Sequence, residues 1–272
     1  MTKTSNAALE RLQFADAPAQ AAEIARQLII AVAAWKGGVG KTETAKEIAW
    51  LFDAVLLDFD WDRGGVTEMW GYLQARHKRA PMLDALAAGR IPRPLSGGPF
   101  RADLVPSHPD FGLNQPSAEH LTSEIVRWQQ EWQRPVVIDT HPGGCESTYG
   151  AIQAADVIIV PAPLKRRELA ALEGMLEELK GYPLLIVPTM VPPIPPAREI
   201  AQLQELSQRF SAPVITPVSN ATWLERRTRR MAVASSDPVP AKHAAFVDEM
   251  RSVGRSVLLA AINSQTTEEA AS

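Results

Sequence analysis

The chain contains the stretch Trp35-Lys36-Gly37-Gly38-Val39-Gly40-Lys41-Thr42 between an apolar run, Leu28–Ala34, and a helical pattern, Thr42–Phe52. Glycines allow backbone N–H groups to point into such a turn and to surround phosphate oxygens. The N-terminus of the following helix presents positive partial charge to the same anion. Lys41 supplies a charge for the β- and γ-phosphates, and the Thr42 hydroxyl is a ligand for Mg²⁺. The stretch therefore predicts a phosphate-binding loop.

Short apolar runs alternate with helical patterns along the chain. The runs are rich in Val, Ile and Leu and do not alternate with polar residues, which is typical of strands buried on both faces. They are Leu28–Ala34, Val55–Leu57, Leu104–Val105, Val136–Ile138, Val157–Val160, Leu184–Val187 and Val214–Ile215. The helical patterns are Thr42–Phe52, Ser117–Trp132, Arg167–Lys180, Ala197–Phe210 and Ala241–Ile262. This alternation predicts an α/β fold: a single doubly wound P-loop domain with a mostly parallel central sheet flanked by helices.

Composition divides the chain into three parts. Residues 1–26 are Ala-rich and carry no strand signal, so we interpret them as an N-terminal extension that is too short to be an independent DNA-binding domain. Residues 27–264 form the P-loop domain. Residues 265–272 are small and polar, and we expect them to be disordered.

Charge and cysteine content narrow the class of protein. The 272-residue chain has a formal net charge of −3, so nucleic-acid binding would require a local basic patch. Its one cysteine, Cys145, excludes a disulfide framework within the chain and favours a reducing compartment. No signal-peptide pattern is present, and the longest apolar runs are too short to span a bilayer. We therefore expect a cytoplasmic protein that does not enter a membrane.

The loop departs from the usual phosphate-loop pattern and resembles a known variant of it. The usual pattern begins with a glycine where this chain has Trp35, and a second lysine, Lys36, follows. Lys36–Thr42 resembles the deviant Walker A motif of the ParA/MinD-like ATPases. The chain is similar to the ParA family of DNA-partitioning ATPases over residues 28–262. This resemblance implies an ATPase that uses ATP and Mg²⁺.

One aspartate at a strand end resembles the family's residue that aligns the attacking water. Val55–Asp60 is similar to the second strand of the family, which ends in Asp-x-Asp, and the resemblance assigns the water-aligning role to Asp60. A carboxylate at the carboxyl end of a parallel strand lies beside the phosphate site, in agreement with that role. The family usually continues with Pro-Gln-Gly, whereas this chain has Trp61-Asp62-Arg63-Gly64. Asp62 therefore remains an alternative to Asp60.

A second strand-end aspartate resembles the family's metal-site residue. Val136–Thr140 is similar to the Walker B strand, whose terminal carboxylate, here Asp139, lies near the water shell of the metal. His141 follows, at the start of a segment that stands where the family has a Pro-rich loop. Because phosphoryl transfer depends on position and electrostatics, we interpret His141 as a loop residue rather than as an acid–base catalyst.

The loop chemistry and the resemblance together define the candidate site. We assign catalytic roles to Lys36, Lys41 and Asp60, and the metal to Thr42, Asp60 and Asp139. The predicted nucleotide-binding residues are Lys36, Gly37, Gly38, Val39, Gly40, Lys41, Thr42, Glu43, Met190 and Pro192. Met190 and Pro192 follow a strand at the point where relatives contact the adenine ring. Asparagine is common there in the family and is absent from this segment.

A basic cluster near the C-terminal third of the chain favours DNA binding. Trp223–Arg230 contains four arginines and one glutamate on an otherwise slightly acidic chain. Arginine suits phosphate contacts because its fork can donate two hydrogen bonds. The predicted DNA-binding residues are Arg226, Arg227, Arg229 and Arg230. The alternative interpretation is a solvated helix face.

Three functions remain to be compared. The first is a plasmid or chromosome partitioning ATPase: a nucleoid-associated homodimer, formed with ATP through Lys36, that binds DNA nonspecifically and is regulated by a ParB-like partner. The second is a MinD-like or protein-cluster-positioning ATPase; its membrane form requires a basic amphipathic C-terminal helix, whereas Phe246–Ile262 has only Arg251 and Arg255 as bases. The third, an iron–sulfur redox protein, is excluded because one cysteine cannot supply two cluster ligands per subunit. The first is preferred.

Overall fold

The computed structural model describes residues 4–62, 65–72 and 80–271, with side chains described from residue 7 to residue 267 outside the same gaps. The strands in this range are β1 (Ile29–Val32), β2 (Val55–Asp58), β3 (Asp103–Val105), β4 (Val136–Asp139), β5 (Val157–Pro163) and β6 (Leu184–Thr189). The helices are α1 (Thr4–Leu12), α2 (Ala21–Gln27), α3 (Lys41–Leu51), α4 (Val66–Met69), α5 (Pro81–Ala87), α6 (Pro109–Leu113), α7 (Ala118–Trp132), α8 (Glu146–Ala154), α9 (Arg166–Glu178), α10 (Ala197–Phe210) and α11 (Ala241–Ala271).

The strands form one sheet in the order β3-β2-β4-β1-β5-β6, and every pair of neighbours is parallel. The predicted doubly wound α/β fold is confirmed. β1 lies at the centre, and the chain leaves it toward β2 on one side and reaches β5 on the other. In such sheets, ligands bind at the carboxyl ends of the strands where the order reverses. Asp139 is in register with both Val32 and Asp58, so the ends of β1, β2 and β4 meet there.

The predicted seventh strand, Val214–Ile215, is wrong. Val214 makes only an isolated bridge to Ile186 beyond the last strand of the sheet. Proline stands on either side of this pair, at Pro213 and Pro217, and proline has no N–H to donate to a ladder. The pairing therefore stops after a single bridge.

The sheet is covered on both faces, as the unbroken apolar runs predicted. One layer is built from α1, α2, α3 and α11, and the opposite layer from α7, α8, α9 and α10. Trp128 of α7 and Phe52 after α3 are among the largest fully buried side chains of the two layers. Burial of this kind stabilises the fold by roughly 25 cal/mol per Å² of apolar surface.

The N-terminal extension contributes two helices to the first of these layers. Leu12 of α1 is fully buried and fits against Gly254 of α11, where an added Cβ would lie 2.4 Å from its Cδ2 atom. Arg255 donates from Nη1 to the carbonyl of Leu12 at 2.7 Å, and Arg251 donates to the carbonyl of Arg11 at 3.2 Å. The guanidinium groups of Arg251 and Arg255, two of the basic residues of α11, are therefore engaged with the backbone of α1.

Helix α11 extends to Ala271 and so includes most of the segment for which a disordered tail was predicted. In this part of the helix, the hydroxyls of Thr266 and Thr267 donate to the carbonyls of the preceding turn. Among the described residues, no helix combines the length and the apolar character needed to cross a bilayer.

Candidate nucleotide site

The glycine-rich loop connects β1 to α3 at the centre of the sheet. Gly38 and Gly40 have φ of +74° and +97°, in the left-handed region where glycine avoids the strain of a side chain. Gly40 is the N-cap of α3, which begins at Lys41, one residue before its predicted start. The hydroxyl of Thr189, at the end of β6, donates to the carbonyl of Val39 at 2.8 Å and fixes the loop to the sheet. The loop thus has the tight glycine turn before a helix that the sequence predicted.

Lys41 lies close to two carboxylates at the carboxyl ends of the strands. It is only 5% exposed, and burial lowers the pKa of its ammonium group, while Asp139 and Asp60 act in the opposite direction. The structure therefore brings together Lys41, Asp60 and Asp139, as the sequence predicted.

Asp139 has the properties expected of a carboxylate in a metal site. It is fully buried, and neither of its oxygens makes a hydrogen bond of normal geometry with the described residues. Burial raises the pKa of Asp139 well above its usual value, the nearby Asp58 adds to the rise, and Lys41 and the Thr42 hydroxyl oppose it. A buried carboxylate without partners is costly unless a cation or ordered water satisfies it. Asp139 and Thr42 therefore fit a hydrated Mg²⁺.

Asp58 and Asp60 have different environments although they end the same strand. Asp58 is fully buried and accepts hydrogen bonds from the backbone and hydroxyl of Thr67 at 2.7 and 2.5 Å, and from the backbone N–H of Asp60 at 3.1 Å. Burial raises the pKa of Asp58 to about 7. Asp60 is half-buried, and burial also raises its pKa, while a bond from the backbone of Asp62 lowers it. Asp58 thus anchors the segment, and Asp60 faces Lys41.

Asp62, the alternative to Asp60, lies farther from the phosphate loop. Its side chain is 67% exposed, and its carboxylate is 3.2 Å from Nε2 of His141. Lys41 is influenced by Asp60 and Asp139, with no contribution from Asp62. This arrangement favours Asp60 for the water-aligning role.

The two residues that depart from the usual loop pattern are held by the opposite layer. Lys36 donates from Nζ to Glu168 of α9 at 2.9 Å, and this bond lowers the pKa of Glu168. Trp35 donates from Nε1 to Glu178 at 2.9 Å and meets Tyr149 edge to face. The side chain of Lys36 is therefore engaged with α9 in this structure.

A cavity of about 240 Å³ adjoins the loop at Gly40. Met190 lines this cavity as expected, whereas Pro192 is not among its lining residues. Sequence reasoning missed most of the other lining, which comes from Ser219–Thr222 and from Phe246 and Met250 of α11. The polar turn that follows the apolar Val218 could have indicated a binding segment. No feature of the neighbouring sequence, however, shows that this turn lies beside the glycine-rich loop.

Comparison with known proteins gives the same fold. No protein-family model matches the sequence, and no curated protein is similar to it at a significant level. Among solved structures, MinD, the cell division ATPase of Pyrococcus furiosus, has a TM-score of 0.66 at 15% identity, with 84% of this chain and 99% of that chain covered. Apo McdA from Cyanothece has a TM-score of 0.65 at 18% identity, covering 82% and 98%.

A third match is a putative plasmid partition protein from Borrelia burgdorferi B31 bound to AMPPNP, with a TM-score of 0.61 at 17% identity, covering 88% of this chain and 98% of that one. The chain has the fold of the ParA/MinD-type P-loop ATPases. The recognition made from Lys36–Thr42 is confirmed at the level of the fold.

Within this P-loop fold, α3 is tied to the segment that follows the basic cluster. Glu47 of α3 is fully buried and accepts hydrogen bonds from the backbone N–H groups of Val233 and Ala234 at 2.5 and 2.9 Å. Burial raises the pKa of Glu47 to about 7, Glu43 adds to the rise, and the two backbone bonds oppose it. One buried carboxylate thus joins α3, the helix after the glycine-rich loop, to the segment that follows the arginines.

We expect Glu47→Gln to flatten the pH dependence of stability. The pKa of Glu47 is about 7 in the folded protein, against the ordinary value of 4.5 for a free glutamate side chain, so the folded state binds more protons between these two pH values. The free energy of unfolding should therefore fall as pH rises from 4.5 to 7, by about 3 kcal/mol from this group. Urea denaturation at pH 5 and pH 7.5 measures the difference. The exposed Glu205→Gln is the control, and equal slopes in the two variants would contradict the assignment.

The basic cluster lies on a short 3₁₀ helix, Leu224–Arg226, and the irregular loop after it, not on a regular helix face. Arg226, Arg229 and Arg230 are exposed, and Arg230 lies against Gly71. Arg227 is half-buried and donates to the carbonyl of Met231 at 2.8 Å, so it supports the loop as well as adding charge.

Proposed function

We propose that this protein is a Mg²⁺-dependent partitioning ATPase that hydrolyses ATP slowly, dimerises with ATP and then binds DNA without sequence preference. The observation that carries the ATPase proposal is the proximity of buried Lys41 to the buried carboxylate of Asp139 beside the glycine-rich loop. Binding of a magnesium–triphosphate requires a site for the cation, here Asp139, beside a site for the anion, here Lys41 and the loop at the start of a helix.

Each residue of the site has a distinct role in the proposed reaction. The backbone N–H groups of the loop and the Lys41 ammonium bind the β- and γ-phosphates. The Thr42 hydroxyl and Asp139 would hold the water shell of a Mg²⁺ ion, which would supply positive charge to the phosphates. Asp60 orients the attacking water, while Asp58 fixes the backbone of that segment through Thr67.

We place the adenine ring in the cavity beside Gly40. Met190 and Phe246 offer apolar surface for a flat ring, and the Asn220 side chain supplies hydrogen-bonding groups. The backbone N–H of Asn220 donates to the carbonyl of Val191 at 2.9 Å. An asparagine thus lies beside the segment after β6, where asparagine is common in the family that the sequence resembles and absent from this segment itself.

Dimerisation is proposed to depend on Lys36, which the resemblance assigns to the partner's nucleotide. Its Nζ is held by Glu168, and the Lys36 side chain is 38% exposed, so it can exchange this partner for a phosphate. We expect Lys36→Ala to stay monomeric with ATP in light scattering, because the γ-phosphate then lacks its cation from the second subunit. The exposed Lys180→Ala is the matched control. A fully ATP-dependent dimer of Lys36→Ala would refute the role.

We propose that the dimer binds to DNA and that a ParB-like protein regulates it. The cavity lining includes Leu224 and Glu225, which directly precede the arginines, so a nucleotide in the cavity touches the segment that carries them. Glu47 ties the far end of that segment to α3. We therefore propose that the nucleotide state and the position of the arginines are linked, and that nucleoid association would follow from DNA binding.

The packing of α11 favours DNA over a membrane as the surface to which the protein binds. The apolar residues Phe246, Val253, Val257 and Leu258 are buried against the rest of the domain and are not available to lipid. Retention on DNA beads and on anionic vesicles, each with ATP and with ADP, tests this choice. Retention on DNA with ATP alone supports partitioning, and retention on vesicles supports a MinD-like role instead.

A further inference from the structure

Three potential metal ligands converge next to the phosphate loop. One of them, Asp60, was also predicted for the magnesium site, whereas Asp62 and His141 were not. The ligand atoms of Asp60, Asp62 and His141 all lie within 4.8 Å of one another, and they form the only such group among the described residues. Asp60 and Asp62 follow β2, whereas His141 follows β4. The parallel register of these strands, with Asp58 opposite Asp139, brings the two segments side by side.

The histidine of this group is held in a fixed orientation. Its ring stacks on Trp61 with centroids 3.9 Å apart and planes inclined by 3°. Trp61 in turn packs edge to face against Phe111 and fits against Gly112, where an added Cβ would lie 2.7 Å from the indole nitrogen. Any side chain at Gly112 would displace the indole. The imidazole is therefore positioned before a ligand arrives, which lowers the cost of binding.

The acidic members are also positioned by local contacts. The backbone N–H of Asp62 donates to Oδ1 of Asp60 at 3.1 Å, and the backbone N–H of Asp60 donates to Asp58. Nε2 of His141 lies 3.2 Å from Oδ2 of Asp62. Ligand atoms at about 2.0–2.2 Å from one zinc ion lie about 3–3.5 Å apart, so this pair already has the required separation.

The chemistry of these ligands differs from that of the magnesium site. Thr42 and Asp139 offer only oxygen, which suits Mg²⁺. An imidazole together with carboxylates suits a borderline ion such as Zn²⁺, and Mg²⁺ competes poorly for nitrogen. Two neighbouring sites of different ligand type can therefore be occupied by different ions.

We propose that Asp60, Asp62 and His141 bind a divalent transition metal of the Zn²⁺ type, and that this ion inhibits the ATPase. The inhibitory part rests on the proposed function, because a metal bound to Asp60 removes the carboxylate that aligns water. ATP binding is retained, since Lys41 and Thr42 take no part in the zinc site. Zinc binding itself requires no nucleotide.

Calorimetric titration of the full-length protein with Zn²⁺ tests the site directly. The titration is done without nucleotide, in excess Mg²⁺, on a Cys145→Ser background that removes the only thiol. We expect one ion per chain, bound at least tenfold more weakly by Asp62→Asn and by His141→Gln. The exposed His120→Gln is the matched control and should bind as the parent does. Unchanged affinity in the two site variants, or no binding by the parent, overturns the site.

Measurement of phosphate release from ATP in zinc-buffered solution then tests the inhibitory role of zinc separately from zinc binding. Zinc should slow hydrolysis by the parent and leave His141→Gln unaffected relative to its own zinc-free rate. If zinc binds through these residues but hydrolysis by the parent is unchanged, the inhibitory role is overturned. If zinc binds and no ATP is hydrolysed under any condition, the metal site stands and the proposed ATPase function falls.

Discussion

Asp60→Ala should lose ATP hydrolysis, by about a hundredfold or more, while still binding Mg²⁺–ATP. Asp60 is half-buried just after β2 and close enough to Lys41 to act on the pKa of its ammonium group, in agreement with the proposed water-aligning role. Positioning of water is a large part of catalysis in phosphoryl transfer. The phosphate contacts of Lys41 and Thr42 remain, so nucleotide affinity should change little. Phosphate release measures the first quantity, and calorimetry with ATP measures the second.

The control for this experiment is Asp62→Ala in zinc-free buffer. Asp62 is largely exposed and paired with His141, so its removal should leave most of the hydrolysis rate. Asp60→Asn keeps the shape of the side chain and its bond from the backbone of Asp62, and it should be as inactive as Asp60→Ala. If Asp60→Ala hydrolyses ATP normally and Asp62→Ala does not, the roles of the two acids are reversed.

Replacement of Arg226, Arg227, Arg229 and Arg230 by alanine should abolish DNA retention and spare ATP-driven dimerisation. Each phosphate contact releases condensed counterions, and two clusters in a dimer roughly double that release. Loss of all four should therefore reduce affinity by roughly a hundredfold or more near physiological salt and flatten the salt dependence. Binding with ADP should resemble that of the variant, because the clusters then remain apart.

Two further variants make this test specific. A triple variant that keeps Arg227 preserves the hydrogen bond to Met231 and separates loss of charge from loss of loop structure. Alanine at Arg90, Arg93 and Arg198 removes the same number of exposed arginines elsewhere and should bind DNA normally. Unchanged binding by the quadruple variant would move the DNA site to another surface. Arg251 and Arg255 already donate to backbone carbonyls, which leaves Lys242 as the next cation to test.

The parts of the fold that the sequence predicted are those set by local pattern. The apolar runs, the glycine-rich turn and the aspartates at strand ends can each be recognised from a few consecutive residues. The parallel register of the strands then brings Asp60 and Asp139 together. The prediction of a strand at Val214–Ile215 was wrong because a short apolar pair between prolines cannot continue the hydrogen-bond ladder of the sheet.

Other features depend on contacts between segments that are distant in sequence, and they could not be predicted from the local sequence pattern. Glu47 resembles any acid of a surface helix until its bonds to Val233 and Ala234 are seen. Lys36 gives no sign of its pairing with Glu168, and the cavity beside Gly40 is closed by α11 and by the turn at Asn220. The packing of Leu12 against Gly254 likewise joins the two ends of the chain.

Phosphate release from ATP by the purified wild-type protein, with Mg²⁺ and with a chelator, tests the central claim most directly. Lys41→Ala prepared in the same way reports any contaminating activity, because it lacks the buried ammonium that faces Asp139 and Asp60. We predict slow release that requires Mg²⁺ and disappears in Lys41→Ala. Release that is absent from the wild type, independent of Mg²⁺, or equal in Lys41→Ala would contradict the account.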